Sequence, residues 1–262
     1  MKTHINKLLL SVIILSLILV TLCGCASAPY SGRKQILLIS EGEEMSLGLK
    51  AYQDTLKKEK LSTDPKANAL VRRVGTRIAA VANKPGYAWE FTVIDNPKTV
   101  NAFALPGGKV AIYTGILPYT QTEAGLAFVV AHEVGHAIAR HGGERMSEQL
   151  LLQIGQQGLN IAVASKSPAA IEAINTGYGL ASTVGVILPF SRKMEYEADH
   201  IGLILMAKAG YDPREAPGFF ERMMKASKSA TPPEFLSTHP ADQQRIRQIN
   251  ALIPEAMTYY HK

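Results

Sequence analysis

The chain is short of thiols: two of its 262 residues are cysteines, Cys23 and Cys25, and none occurs from residue 26 onward. That excludes a disulfide framework in the body of the protein and any thiolate ligand there, so a metal would have to be held by His, Asp or Glu. Charge is also scarce, at 19% Asp, Glu, Lys and Arg, and the net excess of +6 contains neither a basic block nor a ladder of interleaved aromatics. Nucleic-acid binding therefore has no support. No internal repeat is visible, and 47% hydrophobic residues are ample for a packed core, which excludes disorder.

What is present begins with Lys2 and Lys7 ahead of an apolar run, 8–22, followed by small residues up to Cys25. The run is too short and too promptly ended for a firm membrane span and reads as a secretory signal. Leu22-Cys23-Gly24-Cys25 resembles the bacterial lipobox, which implies cleavage before Cys25 and lipidation of that residue, with an uncleaved anchor or ordinary secretion as the alternatives. Ala26, standing where an aspartate would favour inner-membrane retention, points to the periplasmic face of the outer membrane. Residues 1–24 are thus expected as a lipoprotein signal peptide, 25–39 as a lipidated tether and 40–262 as one domain. Loss of the signal removes Lys2 and Lys7 and lowers the net charge from +6 to +4, a mild excess compatible with an anionic membrane surface.

Along the rest of the chain, helical spacing predicts helices over 40–61 and 64–83, the second capped by Asp64 before Pro65. Alternation predicts a strand near 87–97 and two more around Pro106-Gly107-Gly108. Thr120 with Glu123 reads as a capping box opening a helix that should stop at Gly142-Gly143. The stretch 150–191 is apolar, with no charge from 173 to 191. Packed helices are expected there, with a membrane span or a membrane-leaning or oligomer-forming surface as alternatives. Further helices are expected after Arg192, over 213–227 and over 241–253, with a loop at 229–240.

Within "LAFVVAHEVGHAIA" lie His132, Glu133 and His136. Histidines four apart on a helix project from one face, so their ring nitrogens can converge on one metal, and Glu133, about 100° round, stands beside it as a general base. So apolar a helix needs a reason to carry three polar residues at its middle. A catalytic zinc wants a third protein ligand and an open position for water. A glutamate about twenty residues on, as in thermolysin-like enzymes, is excluded because 150–171 contain no Asp or Glu. The metzincin pattern is excluded because the required glycine and histidine positions hold Ala139 and Gly142. What remains is "SRKMEYEADHIG", in which Glu195 and Asp199 share a helix face while Glu197 points the other way. One of the pair could ligate and the other could hold the far nitrogen of a ligand histidine; a solvated acidic face is the alternative.

"HEVGH" at 132–136 followed by "FSRKMEYEAD" at 190–199 resembles the zinc metallopeptidase family of the CAAX prenyl protease, HtpX and the Oma-type protease, a gluzincin family numbered forty-eight, over roughly residues 40–253. With the lipobox, the chain looks most like its small periplasmic lipoprotein members. The resemblance implies one zinc held by His132, His136 and Glu195, with Glu133 catalytic and Asp199 supporting a ligand. It also implies an edge strand at Asn101, Ala102 and Phe103 where an extended peptide pairs, and a histidine loop at "STHP" in which His239 orients substrate or stabilises the tetrahedral intermediate. The chain lacks the several spans of the prenyl protease and HtpX, so prenylated substrates and intramembrane cleavage are not expected.

These readings converge on an α+β, mostly helical fold with the motif helix against a small sheet. The expected function is a zinc endopeptidase tethered to the membrane through Cys25, acting on peptide or unfolded protein, with a homo-oligomer or outer-membrane assembly partner as further company. The competing reading is an outer-membrane-protein chaperone or assembly lipoprotein with a structural or latent metal. The intact Glu133 argues against it, since a structural site has no use for a base there. A zinc hydrolase of cell-wall peptide or lipid fits the motif but has no support in the family.

Overall fold

The computed structural model describes residues 25–182, 188–227 and 233–261. The signal region and lipobox up to Gly24, and part of the uncharged 173–191 stretch, lie outside the described residues. The described chain is α+β and mostly helical, as expected.

The expected tether contains a hairpin, β1 (Cys25–Ser27) antiparallel to β2 (Lys34–Ile36). It is followed by α1 (Glu41–Leu56), opened by a full capping box of Ser40 and Glu43, and α2 (Pro65–Val81), capped by Asp64 with Pro65 in the first turn. Val71, Val74 and Ile78 turn one face of α2 into the core. Three strands come next: β3 (Glu90–Ile94), β4 (Ala102–Leu105) and β5 (Lys109–Tyr113). The sheet order is β3-β5-β4, with β3 parallel and β4 antiparallel to the central β5, so β4 is an edge. Gly107 and Gly108, both at positive φ, make the β4–β5 turn.

A short helix, α3 (Leu117–Thr120), precedes α4 (Glu123–Ile138). The expected cap at Thr120 is corrected here. Thr120 closes α3 by donating its hydroxyl to the Leu117 carbonyl, and Thr122 caps α4 by accepting from the Gly125 amide at 2.9 Å. Every residue of α4 from 125 to 138 is buried, because α2, the sheet and two later helices surround it.

The expected stop at Gly142-Gly143 is also corrected. The chain breaks at Arg140, which adopts φ 57, and α5 (His141–Val163) starts at once and runs through both glycines. A left-handed non-glycine residue costs about 1–2 kcal/mol; Glu44 on α1 pairs with the Arg140 guanidinium, whose Nη2 also donates to the Ile39 carbonyl at 3.1 Å. Gly143 serves close approach, since a Cβ there would run into the Glu44 carboxylate.

α6 (Pro168–Ser182) has no buried residue, and Ile154, Ile161 and Leu180 on the α5–α6 arm are exposed. Among the described residues no helix is long and apolar enough to cross a membrane. α7 (Leu188–Lys208) crosses α4 at two glycines: a Cβ on Gly135 would lie 3.0 Å from the Ala198 carbonyl oxygen, and one on Gly202 would lie 3.0 Å from the His132 amide nitrogen. The remaining helices are α8 (Ala216–Ala226), the short α9 (Phe235–Thr238) inside the expected loop, and α10 (Gln243–Met257), capped by Asp242. Phe219 and Phe220 of α8 pack on Phe128 of α4, closing the core behind the histidines.

Candidate metal centre

The close α4–α7 crossing brings the two sequence motifs together. His132 and His136 reach from α4 and Glu195 from α7, and His239, at the end of α9, completes the group. All four are buried. Nε2 of His132 stands 3.1 Å from Nε2 of His136, 3.2 Å from Nδ1 of His239 and 3.3 Å from Oε2 of Glu195. Glu195 lies 3.4 Å from His136 Nε2 through Oε1 and 3.0 Å from His239 Nδ1 through Oε2.

One ring nitrogen offers a single proton or a single lone pair, so these contacts cannot all be hydrogen bonds. Donors about 2.0–2.1 Å from a tetrahedral zinc ion stand about 3.3–3.4 Å apart, close to the spacing observed. Electrostatics agree. Burial works against a charge on His132, yet Asp199 and Glu195 outweigh it and hold its pKa up at about 9. Surroundings that favour a proton so strongly favour any cation. Burial drives His136 well down, toward the neutral form a ligand needs, although Glu195 beside it works in the other direction. The residues therefore fit a divalent ion held by His132, His136 and Glu195, with His239 at the fourth corner.

Glu133 is 2% exposed, and one of its oxygens lies 3.3 Å from His239 Nε2. Burial pushes its carboxyl upward, partly offset by His239 and His132. The cleft above is lined by Asn101, Ala102 and Phe103 along the β4 edge, and by Arg145 and His239. Asn101 is turned to its own neighbourhood, accepting from the Ala102 amide at 2.9 Å and donating to Glu234 at 3.2 Å. Asp199 lies 3.0 Å from His132 Nδ1.

Several residues escaped the sequence reading. Arg245, 1% exposed on α10, grips Asp199 at 2.7 and 2.8 Å and reaches Glu195 at 3.1 Å. His141 sits against His136, Nδ1 to Nδ1 at 2.8 Å, and its Nε2 meets Glu197 at 2.9 Å. Glu197 faces away from Glu195 but is buried, not solvated, because Arg33 of the hairpin pairs with it at 2.8 Å. The alternative of a solvated acidic face does not hold: Glu195, Glu197 and Asp199 are all buried, each with a charged or histidine partner. On an unbroken helix His141 would point about 140° away from His136, and only the break at Arg140 folds it back.

The profile of peptidase family M48 matches residues 65–253. A mitochondrial metalloendopeptidase OMA1 of Schizosaccharomyces pombe is 37% identical over 232 residues, which is 87% of this chain and 66% of that protein. The protein of the same name in Arabidopsis thaliana is 41% identical over 69% of this chain and 36% of its own length. A beta-barrel assembly-enhancing protease of Escherichia coli is 34% identical over 79% of this chain and 43% of its own. The chain thus spans about two thirds of the length of the first of these relatives and less than half of the other two. The matched region holds both halves of the metal centre, and on that extent and identity this chain belongs to peptidase family M48.

Proposed function

We propose that the protein is a zinc-dependent endopeptidase, binding one zinc ion per chain and cleaving misfolded or envelope proteins from a lipid tether at Cys25 on the periplasmic face of the outer membrane. One observation carries the activity: a buried carboxyl, Glu133, stands beside a four-donor cluster at the floor of a cleft whose wall is the edge strand β4. The relatives' names, metalloendopeptidase and protease, support it. The lipobox supports the tether, and the name of the Escherichia coli relative supports an envelope setting.

A zinc ion bound there would supply Lewis-acid polarisation of the scissile carbonyl and acidify a water molecule. Glu133 takes the proton of the attacking water and passes it to the leaving amine, a task suited to a carboxyl whose pKa burial has raised. Asp199, itself held by Arg245, keeps the proton of His132 on Nδ1 and so turns Nε2 toward the cluster. The β4 edge around Asn101, Ala102 and Phe103 receives an extended peptide.

Four protein donors are the pattern of a structural zinc, and this is the observation that favours the competing, non-enzymatic reading. Glu133 weighs more, because a structural site leaves no work for a buried base. His239 therefore has to yield its corner to water and substrate, and its ring is then available to meet a developing negative charge.

The experiment is zinc content and cleavage of an unfolded protein, side by side, for the chain from Ala26 onward and its Glu133→Gln variant. One zinc in each with cleavage only in the parent is expected. Zinc in both with cleavage in neither would favour the structural site, and equal cleavage by both would overturn the role of Glu133.

A further inference from the structure

The N-terminal hairpin does not simply lead the chain to its domain. Arg33 reaches between α5 and α7 and makes two pairs there: with Glu144, Nη1 to Oε1 at 2.7 Å and Nη2 to Oε2 at 2.6 Å, and with Glu197, at 3.0 Å through Nε and 2.8 Å through Nη2. Ser31 donates to the other Glu197 oxygen. Gln35 donates to the Ala139 carbonyl at 2.6 Å and to Glu144 at 3.0 Å. These contacts seat the hairpin at the break between α4 and α5, and Glu197 hands them on to His141.

Proton bookkeeping gives this chain a direction. Glu197, paired with an arginine, is ionised and can only accept, so His141 must donate to it from Nε2. A neutral His141 then has a lone pair on Nδ1, and His136, 2.8 Å away, must donate from its own Nδ1. That leaves the lone pair of His136 on Nε2, the atom that faces His132 and Glu195. We propose that Arg33, Glu197 and His141 form a positioning chain that fixes the tautomer and ring orientation of His136, making the hairpin that follows Cys25 a working part of the metal centre. His132 has its own carboxylate, Asp199, and His136 has this longer route to one. The inference rests on His136 being a ligand, as under the proposed function.

The test is zinc affinity by chelator competition, measured on the chain from Ala26 onward in a Glu133→Gln background so that no variant can cleave itself. His141→Phe fills the space without a relay, whereas His141→Gln offers a carbonyl to His136 and an amide to Glu197. A positioning role predicts that Phe weakens zinc about 10–100-fold, the usual cost of losing such a partner, and that Gln recovers most of the loss. A packing role predicts the reverse order. Arg33→Ala, at a partly exposed position remote from the ligands, should weaken zinc in the same direction without unfolding the metal-free chain, as checked by circular dichroism. Imidazole nitrogen shifts of the zinc-loaded parent should show the His141 proton on Nε2 and that of His136 on Nδ1. A His141 proton on Nδ1, or equal affinities for parent, Phe and Arg33→Ala chains, would overturn the positioning chain. His136→Ala separates the two readings: full zinc affinity in that variant would remove His136 from the ligand set, and the relay with it. Lost affinity there together with unchanged affinity in His141→Phe would sink the relay alone.

Discussion

The α4–α7 crossing makes a demand that a substitution of one methyl group can test. A Cβ added at Gly202 would lie 3.0 Å from the His132 nitrogen, 3.1 Å from its Cα and 3.2 Å from the Ala131 carbonyl carbon, all of them backbone atoms of α4. Ordinary contacts of this kind sit at about 3.5–4.0 Å, so Gly202→Ala must push the two helices apart by roughly 0.5–1 Å. Two effects then oppose each other in the metal-free protein. Alanine gains about 1 kcal/mol of helix propensity over glycine, and overpacking costs about 1–3 kcal/mol, leaving a net loss of about 0–2 kcal/mol. The metal is far less forgiving, because ligand distances tolerate about 0.2 Å and the donors are divided between α4 and α7. Zinc affinity should therefore fall by at least about tenfold, which is about 1.4 kcal/mol, while the metal-free melting temperature falls little. Gly158→Ala on α5, where a Cβ meets nothing within 4 Å, should show propensity alone and leave zinc untouched. Chelator competition and thermal melting on both variants give the answer. If Gly202→Ala raised the melting temperature as Gly158→Ala does and bound zinc like the parent, the argument that this glycine crossing sets the donor geometry would fail.

Three further outcomes are expected. Glu195→Ala should lose much of both zinc and cleavage, and full metal affinity in that variant would mean the third ligand lies elsewhere. Arg245→Met strips the guanidinium from Asp199 at 2.7 Å and Glu195 at 3.1 Å and leaves two buried carboxylates; breaking such a pair costs about 3–5 kcal/mol, to be read as a lower urea midpoint of the metal-free chain, and an unchanged midpoint would contradict it. Burial, with Glu144 nearby, pushes Glu148 from its ordinary 4.5 up to about 7. The folded chain then holds that proton more tightly than the unfolded one, so this contribution to stability is full below pH 4.5 and is lost as pH rises toward about 7. Glu148→Gln should flatten the decline over that window, and an identical pH profile for both chains would count against it.

The sequence by itself determined what lies within a single regular element. His132 and His136 fall together because one helix carries them at a spacing of four, and Asp199 stands beside Glu195 for the same reason. The edge position of β4 was open to the sequence only through family resemblance, since strand order is set by pairing between segments. Other features depended on a neighbouring element or on segments that are remote in the chain. Thr122 displaced Thr120 as the cap because α3 had already used the Thr120 hydroxyl. Arg140, bent into a left-handed conformation beside Glu44, turned an expected helix end into a corner and swung His141 back onto His136. Nothing in the sequence marks Glu197 and Arg245 as buried; Arg33, more than 160 residues before Glu197, and Asp199, on another helix from Arg245, make burial tolerable for them. Periodicity records which side chains share a face of one helix. Which buried charges meet across helices is decided only when packing closes the distances, because a charge leaves water only where a partner is waiting.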